Sequence, residues 1–183
     1  AGTPVVTMVA RLLWDKGIVE LVSTAKLLKE RGCAVKIQVV GSPDPQNPQS
    51  VDEETLQNWK NEGIVDFLGY RTDIATIWAG SHIAILPSYR EGLPKSLLEA
   101  ASCGKPLIAT DVPGCRELVK DGENGLLVPV KNTVLLADAI EKLVNDLDLR
   151  SQLGDRARVD VEMRYADTVV IDAMCKLYKN LLK

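Results

Sequence analysis

The chain has 183 residues, 46% of them hydrophobic, enough to bury one core, and a single domain is the expectation. Twenty-two Lys and Arg against twenty-five Asp and Glu leave a net charge of -3, which argues against a generic nucleic-acid binder. No apolar run approaches the roughly 20 residues needed to span a bilayer.

From the N-terminus, Val5 to Ala10 is almost continuously apolar, as strands of a sheet covered on both faces tend to be. Arg11-Leu12-Leu13-Trp14-Asp15-Lys16-Gly17 follows at its C-terminal end, and apolar spacing at Val19, Val22, Ala25 and Leu28 predicts a helix from about Ile18 to Lys29, ended by Gly32. A strand over Val35 to Val40 closes at Gly41. Residues 42–50, with three prolines, read as a loop. Val51 to Glu62 is helical, with acids at its positive end. A short strand, Ile64 to Leu68, ends at Gly69-Tyr70, and Thr72 and Asp73 are placed to cap a brief helix to about Ala79.

Ile83 to Leu86 has the length and flanks of a buried strand. Residues 87–92 cannot continue it, and Pro94 suits the first turn of a helix that runs through Leu97, Leu98, Ala100 and Ala101 and stops at Gly104. Another strand covers Leu107 to Thr110. A short helix at Cys115 to Val119, a turn at 121–125 and a strand at Leu126 to Val128 follow. Helices are then expected over Thr133 to Asp146, Leu149 to Glu162 and Ala166 to Leu182. Strands alternating with helices predict an α/β, doubly wound parallel sheet of about six strands, helices on both faces, and a helical C-terminal tail.

Ligands of such sheets bind beyond the C-terminal strand ends, where strand order reverses. Arg11, Lys16, Gly41, Gly69, Glu91, Gly92 and Thr110 collect there. A loop opening into a helix leaves backbone N–H groups suited to an anion. Glu91 in that loop and Glu99 in the helix are its two carboxylates; Glu99 either pairs with Lys95 one turn earlier or is held for a ligand. Neither Gly-x-Gly-x-x-Gly after the first strand nor a P-loop is present. The four cysteines, Cys33, Cys103, Cys115 and Cys175, lack metal-type spacing and fit a reducing compartment, and the single histidine, His82, reads as structural.

Glu91-Gly92-Leu93-Pro94-Lys95-Ser96-Leu97-Leu98-Glu99 resembles the Glu, seven residues, Glu motif of retaining glycosyltransferases of the GT-B fold, family 4 type (group 1 glycosyltransferases). Val9-Ala10-Arg11-Leu12 with Lys16-Gly17, Gly104 to Thr110, and Gly122 to Pro129 fit the same family in order and spacing, so the resemblance covers the whole chain.

The resemblance implies that residues 1–183 are the Rossmann-like, C-terminal, donor-binding half of a two-domain enzyme, without its N-terminal acceptor half. A start at Ala1-Gly2-Thr3-Pro4 without Met agrees with an excised piece. By likeness, Arg11 and Lys16 neutralise the donor diphosphate; unit charges at about 4 Å are worth roughly 4 kcal/mol at an effective dielectric near 20, before desolvation. Backbone N–H groups of Gly92, Leu93 and Ser96 bind a phosphate oxygen, Glu99 accepts from the ribose hydroxyls, and Glu91 faces the transferred sugar. Gly41 borders the donor site, and backbone at Gly69-Tyr70-Arg71 contacts the base. Lys95 is either a ligand contact or a solvated side chain.

The implied reaction is retaining transfer from a nucleoside diphosphate sugar, UDP-sugar favoured, to a glycan or lipid-linked acceptor in polysaccharide or lipopolysaccharide biosynthesis, with no metal and no other cofactor. A sugar-nucleotide epimerase of the same fold and a non-catalytic nucleotide-binding module are the alternatives. A cytoplasmic location, with peripheral membrane association through the absent half, goes with the first reading. The last helix either packs towards that half or joins the core.

Overall fold

The computed structural model describes residues 2–182. Five parallel pairings build one sheet from β1 (Val5–Val9), β2 (Lys36–Val40), β3 (Asp66–Phe67), β4 (Ile83–Leu86), β5 (Leu107–Thr110) and β6 (Gly125–Val128), in the order β3-β2-β1-β4-β5-β6. Strand order therefore reverses between β1 and β4. Every residue of β4 and β5 is buried, which accounts for their unbroken apolar sequences.

The helices are α1 (Ile18–Glu30), α2 (Glu53–Glu62), α3 (Ile74–Ala79), α4 (Lys95–Ser102), α5 (Pro113–Leu118), α6 (Thr133–Asn145), α7 (Leu147–Tyr165) and α8 (Asp167–Leu181). Right-handed crossovers that leave the β1/β4 boundary in opposite directions set α1 and α4 on opposite faces. On one side α6 packs on α1, and on the other α7 packs on α4. The core between these layers includes Met8, Ile18, Leu21, Ile85, Leu97 and Ile108, each essentially inaccessible to solvent.

Several element boundaries differ from expectation for local reasons. The strand expected over residues 64–68 pairs only at Asp66 and Phe67, at the edge of the sheet. Asp73 occupies the position before α3 but does not cap it, because Arg71 takes both carboxylate oxygens, at 2.7 and 2.6 Å. Pro113 opens α5 two residues before the expected start. Asp146 ends α6 and also caps the Leu149 N–H at 2.9 Å, so α7 starts at Leu147. That helix continues to Tyr165, where the Arg164 guanidinium and the Tyr165 hydroxyl each donate to the Glu117 carbonyl at 3.1 Å.

His82 lies at the start of β4, at the opposite end of the sheet from the candidate residues. Its Nδ1 accepts from the Val5 N–H at 3.1 Å, and its own N–H donates to the Val5 carbonyl at 2.8 Å. No residue of α8 is buried, and its main neighbour is α7. Val170, Met174, Leu177, Tyr178 and Leu181 form an exposed stripe at helical spacing. Of the two expectations for this helix, membership of the core is excluded. No described helix is long and apolar enough to cross a membrane.

Candidate functional site

The site grows from the two strands on either side of the reversal. A short 3-10 turn, Trp14–Lys16, follows β1 and ends at Gly17, whose φ of 71° is in the left-handed region. A Cβ at Gly17 would overlap the carbonyl oxygen of Pro87, the residue after β4. Only glycine lets the two segments approach this closely. Their approach brings Lys16 Nζ within 2.6 Å of Glu91 Oε1, with the side chains 20% and 11% exposed. From a third side, α5 abuts the Glu91 loop, since a Cβ on Gly114 would overlap the carbonyl oxygens of both Glu91 and Gly92. The Thr110 hydroxyl donates to the Ser88 carbonyl beneath. Burial, with the nearby Glu91 carboxylate second, pushes the Cys115 thiol up to about 12.

Arg11 lies on the other flank, where its guanidinium donates to Asp44 at 2.7 Å. Beside it the Gly41 N–H donates to the Gly69 carbonyl at 2.8 Å, tying together the ends of β2 and β3. Arg11, Gly41, Tyr70 and Arg71 border one cavity of about 290 Å3, where Tyr70 is 75% exposed. A second, of about 230 Å3, is lined by Arg11, Lys16, Glu91, Leu93, Lys95 and Ser96. A third, of about 400 Å3, meets Asp15, Lys16, Arg90, Glu91 and Gly92. Arg11 borders all three, and Lys16 with Glu91 borders the last two. A cavity of about 460 Å3 opens beside residues that precede β1 and β2, but none of the candidate residues lines it.

The first backbone bonds into α4 come from Leu97 and Leu98, both to the Pro94 carbonyl, at 3.1 and 3.2 Å. The N–H groups of Lys95 and Ser96 precede them and point out of the helix N-terminus, as such groups must. Glu99 is not among the residues lining the three cavities. Its carboxylate is 35% exposed and lies 3.7 Å from the Lys95 ammonium, which is 87% exposed. The structure thus joins Glu91 to Lys16 but sets Glu99 apart, in the local pair with Lys95.

Several neighbours of the site carry no motif. Asp44 sits in the proline-rich loop; Asp15 and Glu20 read as ordinary helix-start acids, and Tyr89 as a loop aromatic. Only the run Ser88-Tyr89-Arg90-Glu91-Gly92, polar and aromatic directly after a buried strand, hinted at Tyr89.

The family profile described as glycosyl transferases group 1 matches residues 1–160. This chain belongs to that family. The N,N'-diacetylbacillosaminyl-diphospho-undecaprenol alpha-1,3-N-acetylgalactosaminyltransferase of Campylobacter jejuni is 37% identical over 180 residues, 98% of this chain and 46% of the relative. The capsular polysaccharide biosynthesis glycosyltransferase CapM of Staphylococcus aureus is 30% identical, over 98% of this chain and 47% of its own length. Among solved structures, HepE of Anabaena in complex with UDP superposes with a TM-score of 0.86 at 25% identity, covering 96% of this chain and 48% of that one. The group 1 chain described here therefore spans about half the length of the curated relatives it matches. Its six-stranded parallel sheet with a helical tail agrees with the fold expected from sequence.

Proposed function

We propose that this chain is the donor-binding half of a retaining glycosyltransferase that uses a nucleoside diphosphate sugar, with UDP-sugar favoured. One observation carries the reading: Arg11 and the Lys16–Glu91 pair converge, across the β1/β4 reversal, on a cavity that also meets the N-terminus of α4. Two cations and a helix N-terminus suit a diphosphate, and a carboxylate beside them suits a sugar hydroxyl. The cavity bordered by Gly41, Tyr70 and Arg71 takes the base, with backbone at Gly69 beside it. UDP in the HepE relative favours a uridine nucleotide.

In the reaction, Arg11, Lys16 and the backbone N–H groups of Gly92, Leu93 and Ser96 stabilise charge as it grows on the leaving diphosphate. Glu91 holds a sugar hydroxyl or faces the positive charge developing near the anomeric carbon. Glu99 leaves Lys95 for the ribose hydroxyls. Donor binding needs no metal, and EDTA leaves it unchanged.

The acceptor site belongs to a second half of the polypeptide, N-terminal to this one, and the exposed stripe on α8 docks against it. The acceptor is a glycan or lipid-linked molecule in polysaccharide or lipopolysaccharide assembly, a reading supported by the diphospho-undecaprenol and capsular polysaccharide in the names of the Campylobacter and Staphylococcus relatives. The cytoplasm, with membrane association through the second half, is the matching location. Calorimetric titration of this chain with UDP, GDP and ADP, with and without EDTA, tests the reading. One preferred nucleotide, weakened by Lys16→Ala, supports it. Equal binding of all three that Lys16→Ala leaves unchanged overturns it, and sugar transfer by these residues alone would overturn the two-half architecture.

A further inference from the structure

The segments that bear Lys16 and Glu91 are linked by a second set of bonds, and the donor-site reading uses none of them. Tyr89 stands two residues before Glu91, and its backbone N–H donates to the carbonyl of Asp15, the residue before Lys16, at 2.8 Å. Its hydroxyl donates to Glu20 Oε1, in the first turn of α1, at 2.7 Å. From the connection between β6 and α6, the Lys131 ammonium lies 4.7 Å from the centre of the Tyr89 ring. One residue therefore ties the segment after β4 to the turn after β1 through its backbone and to α1 through its side chain, with a third connection laid over it.

Tyr89 is not among the residues lining the cavities that Lys16 and Glu91 border, so its hydroxyl does not stand where a donor would. Burial, with the Glu20 carboxylate second, pushes its phenol upward, so it stays a donor across the working pH range. A phenol-to-carboxylate bond is about twice as strong as a neutral one, and it fixes backbone on both sides. The Lys16 ammonium, by contrast, sits on a flexible four-carbon stem, and ion pairing alone orients such a group poorly.

We propose that Tyr89 and Glu20 are positioning residues: their hydrogen bond holds the Lys16 segment against the Glu91 segment and so presets the ammonium that meets the donor diphosphate. The contribution to catalysis is through Lys16, and it rests on the donor-site reading above. Loss of the Tyr89 hydroxyl frees the two segments to separate by the small distance that unseats the 2.6 Å ion pair.

Two readouts on this chain test the clamp separately from the site. The first is the Lys16 ammonium resonance in 15N–1H spectra, which pairing protects from exchange and which Glu91→Gln identifies. Tyr89→Phe should broaden or abolish it while circular dichroism stays unchanged. Glu20→Gln, which keeps an acceptor oxygen, should weaken the signal less than Glu20→Ala. The second is UDP affinity, which Tyr89→Phe should lower about tenfold. In a Lys16→Ala background the same change should cost less than about twofold, because the two residues act as one unit. An unaltered Lys16 resonance in Tyr89→Phe overturns the clamp whatever UDP does, and so does an equal affinity loss in both backgrounds. If wild-type chain fails to bind UDP while the resonance responds as expected, the donor-site reading fails and the clamp stands.

Discussion

Glu91 and Glu99 belong to one loop–helix unit, eight positions apart by number, yet the fold treats them in opposite ways. Glu91 is 11% exposed, and its lysine partner comes from the far side of the strand reversal. Glu99 is 35% exposed, and its lysine is one helical turn away on the same element. Bringing the first pair together requires Gly17 against Pro87 and Gly114 against the Glu91 loop; the second forms with any α-helix at that position. A charge that tertiary structure holds in place is already committed, whereas one held only by its own helix stays open to a new partner.

The most severe way to break this contrast is Gly17→Ala. The added methyl must displace the Pro87 carbonyl at a residue already in the left-handed region, and a loss of about 3–5 kcal/mol in chemical denaturation is expected. Lys16→Met comes next. It leaves Glu91 partly buried without its cation, and a cost of about 2–3 kcal/mol, below the full value for a fully buried pair, is the expected result of the same experiment. Lys95→Met, the matching change at the exposed pair, should stay within about 0.5 kcal/mol. Equal losses from the two lysine variants would erase the distinction.

Glu99→Ala sharpens the contrast from the ligand side. Its stability should match Lys95→Met, but UDP affinity should fall by about 1.5–3 kcal/mol in calorimetry, the worth of a hydrogen bond to a charged group. A silent Glu99 in that titration leaves the Lys95 pair as its whole role.

The smallest expected effect lies at the far end of the sheet. Burial, then the charges of Arg150 and Lys105, lower the pKa of His82 from the ordinary value near 6.5. Its stabilising contribution is therefore complete above that value and is lost as pH falls through the lower, folded-state pKa, because the unfolded chain takes up the proton first. His82→Asn keeps an acceptor for the Val5 N–H but cannot titrate. Its unfolding free energy should fall less than that of wild type between pH 7 and pH 5, by well under about 1 kcal/mol because solvent screens so exposed a side chain.

Much of this architecture is legible in the residues because it depends on local chemistry. Buried parallel strands need apolar runs such as Ile83 to Leu86, and Pro94 marks a helix start. Arg11, Lys16, Glu91 and Gly92 reach one edge simply because each follows a strand. What the pattern hides is pairing across the reversal. Nothing near Lys16 announces Glu91, 75 positions on, and nothing in an acidic first turn announces that Glu20 accepts from Tyr89. Asp73 looked like a helix cap and proved to be the partner of Arg71, since a guanidinium fork two residues away competes better than backbone N–H groups. Such choices depend on distances that only the folded chain sets.

The 2.6 Å contact between Lys16 and Glu91 also means that the cation carries its own counter-ion. On the donor-site reading proposed above, an arriving diphosphate joins a cation that Glu91 already holds in position, so the pair would present an oriented charge and not a bare positive hole. A small anion such as inorganic phosphate would gain from the lysine alone. A ligand that also gave Glu91 a hydroxyl to hold would gain from both ends of the pair, which on that reading would favour molecules that bring phosphate and sugar together.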